Sequence, residues 1–295
     1  MLNAFHSNWT TPFFHRNKAR QYFIEDYELL TTILSALIWR KHNGSIKMVT
    51  DTPGMEYYQK LGIAHIWDMG IDTSLDELEK ESFSPLSLWA AGKIIALSRQ
   101  PVPCVMLDTD FIVWKSIAGY TEGTVLAVAH REEITPLIYP EKSFFNMAKT
   151  YTFPPEWDWS QQPCNTALLY IADEEFKNYY TSESIRFMCN LQETKDIIAE
   201  MVFAEQRILA MCAAARDISV TTFLDVNNLE TQDLFTHVWG FKMELQNKQK
   251  KRRDFCINCV KRIVSDFPHE IAALEKIDIL KPYFEIMSNK QTRMF

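Results

Sequence analysis

Three apolar runs constrain this chain more than any other feature. VPCVML (102–107), TVLAVAH (124–130) and NTALLYI (165–171) are apolar nearly throughout. A strand with one face in water alternates polar and apolar positions, so an unbroken run reads as a strand covered on both faces. NAFHS, SIKMVT, AHIWDM and ISVTTFL are further strand candidates. Helical patterns separate them. Asp26–His42 has apolar positions at 29, 30, 33, 34, 37 and 38, and Asn43-Gly44 stops it. EYYQKL predicts a short helix ending at Gly62. A helix is expected from Pro85, with Ser84 as its N-cap. Met201–Arg216 predicts another, and Phe255–Leu280 a helical tail. Strands alternating with helices mean an α/β fold with a mostly parallel central sheet flanked by helices. No internal repeat is visible. The basic run 247–253 is the one boundary signal, dividing a body at 1–246 from a basic linker and helical C-terminal extension at 247–295.

Composition narrows the chemistry. There are only 8 glycines in 295 residues, and none forms G-x-G-x-x-G or a P-loop. Phosphate is therefore not expected on a glycine-rich loop. The net charge is −7, yet residues 241–265 hold eight basic side chains against two acidic ones. A body this acidic is a poor partner for nucleic acid. The basic stretch reads either as a solvated loop before a helix or as a peripheral contact with an anionic membrane surface. The six cysteines sit mostly in apolar runs, as buried free thiols do, and the Cys256/Cys259 pair reads as helix packing. Without an apolar leader or an 18-residue apolar stretch, a cytoplasmic protein is expected.

The chemistry gathers at the end of the first apolar run. Asp108-Thr109-Asp110 follows VPCVML, where an open α/β sheet binds its ligands. In an extended segment two carboxylates at i and i+2 share a side, and hard oxygen ligands suit Mg²⁺ or Mn²⁺. The bland alternative is a turn of solvated aspartates. Later, THVWGFK places His237, Gly240 and Lys242 together: a metal ligand, an open backbone position and a point charge for phosphate.

With these motifs the sequence resembles the GT-A glycosyltransferases, above all the retaining family 8 enzymes and the small glycosyltransferases of bacterial polysaccharide clusters. The resemblance spans about residues 3–245 and implies a GT-A-like catalytic domain at 1–246. It implies that Asp108 and Asp110 hold the metal with His237, and that Gly240 and Lys242 meet the diphosphate, although Lys242 stands one residue early for the family's H-x-x-G-x-x-K. Cys164-Asn165-Thr166-Ala167 is similar to the family's Asn-x-Gly, with alanine in place of glycine, and makes Asn165 a sugar contact. Glu205-Gln206 mirrors an Asp-Gln pair near the reacting carbon. Lys93 resembles a basic donor contact, Thr109 lies between the metal ligands, and Ser7 marks the nucleobase end of the first strand.

The resemblance thus implies a transferase using Mn²⁺ or Mg²⁺, a UDP-sugar donor and a glycan or other hydroxyl acceptor, in glycan or surface polysaccharide synthesis. The aromatic segment Tyr139–Trp159 reads as an acceptor-facing loop or as a self-packed excursion. A metal-dependent phosphohydrolase and a non-catalytic nucleotide-sugar binding protein are the other readings these residues allow.

Overall fold

The computed structural model describes residues 1–17, 21–80, 83–225, 227 and 231–292. In chain order the strands among these are β1 (Ala4–Asn8), β2 (Ile46–Thr50), β3 (Ile71–Asp72), β4 (Cys104–Leu107), β5 (Phe111–Val113), β6 (Leu126–Val128), β7 (Asn146–Met147), β8 (Leu168–Ile171), β9 (Leu191–Glu193), β10 (Val220–Thr222) and β11 (Phe235–His237). The central sheet has seven strands in the order β10-β6-β8-β4-β1-β2-β3. All run parallel except β8, which is antiparallel to both β4 and β6. β5 with β11, and β7 with β9, form two small antiparallel ribbons.

The unbroken apolar runs are explained by what covers them. Successive side chains on a strand point to opposite faces. In β4, Val105 and Leu107 join one apolar cluster while Cys104 and Met106 join the other. β8 divides likewise, with Leu168 and Tyr170 on one side and Leu169 and Ile171 on the other. The first face packs against the Asp26–His42 helix and against Cys256, Val260 and Ile263 of the tail. The second packs against the helices Ala91–Ser98, Glu174–Asn190 and Ile208–Ala215. A mostly parallel sheet flanked by helices, with a helical C-terminal tail, is the fold.

Several local expectations need correction. AHIWDM is no strand: Ala64–Ile66 is a 3-10 turn that buries Ile66 and Trp67, and the strand comes after Gly70, whose φ of 82° reverses the chain. Ser84 does not cap a helix. Its carbonyl accepts Leu88 N at 2.9 Å in a turn, and the helix starts at Ala91, where Gly92 presses on Trp9 so closely that an added Cβ would lie 2.8 Å from the Trp9 Cβ. The helix expected over Met201–Arg216 is broken by a π-turn at Phe203–Arg207.

The basic run expected as a linker is instead largely helix, the first turn of Gln249–Asp266. Arg252 bonds Glu25 at 2.5 Å and Asp26 at 2.7 Å, so the run is tied to the start of the Asp26–His42 helix. Lys248 and Lys251 both reach Glu244. The five buried cysteines, Cys104, Cys164, Cys212, Cys256 and Cys259, are free thiols. No helix among the described residues is long and apolar enough to cross a membrane.

Candidate active site

The C-terminal ends of β1, β4 and β6 and the N-terminal end of β8 meet along one sheet edge, because β8 alone runs backwards. Asp108 leaves β4 there, its amide donating to Ala167 O at 2.8 Å. The segment then turns instead of staying extended: Phe111 N donates to Asp108 O at 3.0 Å. That turn, not strand alternation, puts both carboxylates on one side. The β5–β11 ribbon then brings in a residue more than a hundred positions away. His237 pairs with Phe111, and Val238 N donates to Asp110 O at 3.0 Å. One ligand atom from each of Asp108, Asp110 and His237 lies within 4.8 Å of the others.

Two lysines complete the cluster. Lys93 Nζ lies 2.6 Å from Asp108 Oδ1 and also bonds Glu205 Oε1. Lys242 Nζ lies 2.9 Å from Asp110 Oδ2 and 3.8 Å from Glu28 Oε1. Burial pushes the Asp108 carboxyl up to about 6 against the pull of Lys93, since one ammonium serves two carboxylates. Burial opposes ionisation of Asp110 too, but Lys242 and His237 outweigh it and hold that carboxyl below its usual range. Burial pushes the His237 imidazole down to about 4, so it is neutral near pH 7. Its Nε2 is 3.8 Å from Asp110 Oδ1, too far for a hydrogen bond, and finds no partner among the described residues.

An orphaned neutral imidazole nitrogen beside two carboxylates is a mixed N/O donor set; the carboxylates suit Mn²⁺ or Mg²⁺, and the imidazole favours Mn²⁺ of the two. Charge agrees. Asp108, Asp110, Glu205 and Glu28 bring four formal negative charges, while Lys93 and Lys242 bring two positive ones. One divalent cation would restore balance.

The other sequence-named residues fall around this centre. Glu205 is nearly buried and accepts from Thr166 Oγ1 at 2.5 Å besides Lys93. Gln206 Oε1 accepts from Tyr139 OH at 2.5 Å. Asn165 donates to Glu132 Oε1 at 2.8 Å, and its own Oδ1 accepts Ala167 N at 3.2 Å. Thr109 sits half-buried in the turn, and Ser7 half-buried in β1 opposite Val49. Gly240 lies in the exposed turn Trp239–Phe241, where an added Cβ would meet nothing within 4 Å, so packing does not require glycine there.

Sequence reasoning missed Glu28, Glu132, Thr166 and His130, and named Tyr139 only as one end of the aromatic segment. One of them carried a signal. His130 closes TVLAVAH just as Asp108 closes VPCVML, and it lies close enough to act electrostatically on His237. A separate cavity of ≈ 850 Å³ lies between residues 21–26, the Thr52–Lys60 helix and residues 277–283, and no member of the triad lines it.

A family model described as a family of unknown function, DUF6734, matches residues 3–277. The chain belongs to that family. No curated protein matches it. Among solved structures, the PaToxG glycosyltransferase is 12% identical, with 72% of this chain and 69% of that one covered at a TM-score of 0.35. The bifunctional glycosyltransferase WbbM is 11% identical, with 75% and 38% covered at 0.40, so this chain spans well under half of it. Mouse xyloside xylosyltransferase 1 is 10% identical, with 79% and 99% covered at 0.34. At such scores the likeness carries no argument of its own.

Proposed function

We propose that this DUF6734 protein is a metal-dependent glycosyltransferase that moves a sugar from a UDP-sugar to a hydroxyl acceptor, with retention of configuration, in glycan or surface polysaccharide synthesis. The observation that carries the reading is the part-buried triad of Asp108, Asp110 and His237, with its orphaned imidazole nitrogen and its deficit of two positive charges.

Asp108, Asp110 and His237 would hold the cation, which supplies Lewis-acid neutralisation of a diphosphate leaving group. Lys242 and Lys93 stand beside the carboxylates as fixed point charges, and charge placed in advance where it will develop is usually the largest catalytic contribution. On the other side of Lys93, Glu205 with Gln206 would face the reacting carbon, and Asn165 would orient the sugar. Thr109 and Gly240 would line the phosphates, and Ser7 the base. The Tyr139–Trp159 excursion, linked to Gln206 through Tyr139, would face the acceptor.

The test is the Asp110→Asn variant. The neutral amide keeps the shape and removes the charge, so UDP release from UDP-sugars should lose its Mn²⁺ dependence and fall by about a hundredfold or more. Turnover equal to the wild type would sink the reading.

A further inference from the structure

Helices rarely change pitch without cause, and the π-turn at Phe203–Arg207 carries both Glu205 and Gln206. Ile208 N bonds Phe203 O, five residues back, which widens the turn and takes from Ala204 O its usual donor. Distant groups reach this carbonyl and the next two. Ser184 Oγ donates to Ala204 O at 2.8 Å, Tyr180 OH to Glu205 O at 2.6 Å, and Cys164 N to Gln206 O at 3.2 Å. The wide turn is therefore built into the packing.

Arg207 closes it. The residue is wholly buried, yet among the described residues its hydrogen bonds run to backbone carbonyls and none to a carboxylate. Its guanidinium instead donates to Tyr139 O at 2.6 Å, Pro140 O at 3.0 Å and Trp159 O at 2.6 Å. It also lies over the Trp159 ring, 5.2 Å from the centroid. Tyr139–Pro140 and Trp159 are the two ends of the aromatic excursion, so one side chain staples both ends to the turn that presents Glu205 and Gln206. Tyr139 then returns the link through its hydroxyl on Gln206. A planar fork of donors suits three converging carbonyls, and an ammonium would reach fewer of them.

We propose that Arg207 is the positioning residue that holds the Tyr139–Trp159 excursion against the π-turn, and so sets how Glu205 and Gln206 meet the substrate. The kinetic part rests on the glycosyl-transfer reading; the structural part does not. Three variants test it on the full chain: Arg207→Met, Arg207→Lys and Tyr139→Phe.

Hydrogen exchange should show amides of residues 139–161 opening about tenfold faster in Arg207→Met, with β1 and β4 still protected. Mn²⁺ binding should be unchanged. With UDP-glucose or UDP-galactose as donor, kcat should fall about tenfold or more while donor KM stays within about twofold. Arg207→Lys should recover part of both losses. Tyr139→Phe should lower kcat without loosening the excursion, and it decides the matter should Arg207→Met fail to fold. Unchanged exchange in Arg207→Met, loosening with unchanged kcat, or wild-type turnover in Tyr139→Phe would overturn the proposal. Should the wild type turn over no nucleotide sugar, the functional reading falls and the exchange measurement alone decides the clamp.

Discussion

Lys93 is the residue on which the site's electrostatics turn. Its ammonium bridges Asp108 and Glu205 and is only 14% exposed, and those two carboxylates reinforce its charge against burial. Removing one partner from such a group leaves the others charged and desolvated. Lys93→Met should therefore cost ~3–5 kcal/mol of stability, read from the urea midpoint, where a surface lysine would cost almost nothing. A loss under about 0.5 kcal/mol would mean that solvent already screens the pair. At this scale the sequence was legible wherever chemistry sat in a short motif at a strand end. Asp108, Asp110 and His237 could all be named in advance, and the structure brings them together. Thr166 and Glu132 could not, nor could the contact of Tyr139 with Gln206, because each acquires its partner only through the antiparallel strand β8 and the excursion before it.

Between elements, a buried relay lies beneath the site. Trp67 Nε1 donates to His6 Nδ1 at 3.2 Å, His6 Nε2 meets Ser35 Oγ at 3.1 Å, and Ser35 donates to Phe111 O at 2.5 Å. It joins a loop, strand β1, the Asp26–His42 helix and strand β5, one residue past Asp110. Complete burial pushes the His6 imidazole down to about 3 from 6.5, despite the opposing pull of Asp110. The unfolded chain thus binds a proton that the folded chain refuses between these values. Stability tied to His6 is complete above pH 6.5 and declines as pH falls toward 3, by up to ~1.4 kcal/mol per pH unit. In His6→Gln the acid slope of unfolding free energy should be shallower than in the wild type by up to that amount; equal slopes would show that His6 is not the group responsible. Long elements with a clear period were legible, and the Asp26–His42 helix has the bounds its spacing implies. Strand direction was not, since alternation encodes which face is buried and nothing about polarity. Nor was the π-turn, whose donors Tyr180 and Ser184 come from another helix.

For the molecule as a whole, the fold creates one sheet edge where charge is concentrated, and the acidic balance of −7 is compatible with an anionic donor only if that edge gains positive charge. Much of the basic run cannot serve this purpose, because Lys248, Lys251 and Arg252 are held in ion pairs with Glu244, Glu25 and Asp26. Two lysines answer four carboxylates at the centre, and the His237 nitrogen, without a hydrogen-bond partner among the described residues, is where the proposed cation would bind. The most direct measurement is a titration with Mn²⁺ alone, followed by electron paramagnetic resonance, on the wild type and on His237→Ala. The wild type should show a single saturable site, and the variant, still folded, should bind at least about tenfold more weakly. Absence of saturable binding in the wild type, or equal binding in both proteins, would contradict a metal held by Asp108, Asp110 and His237.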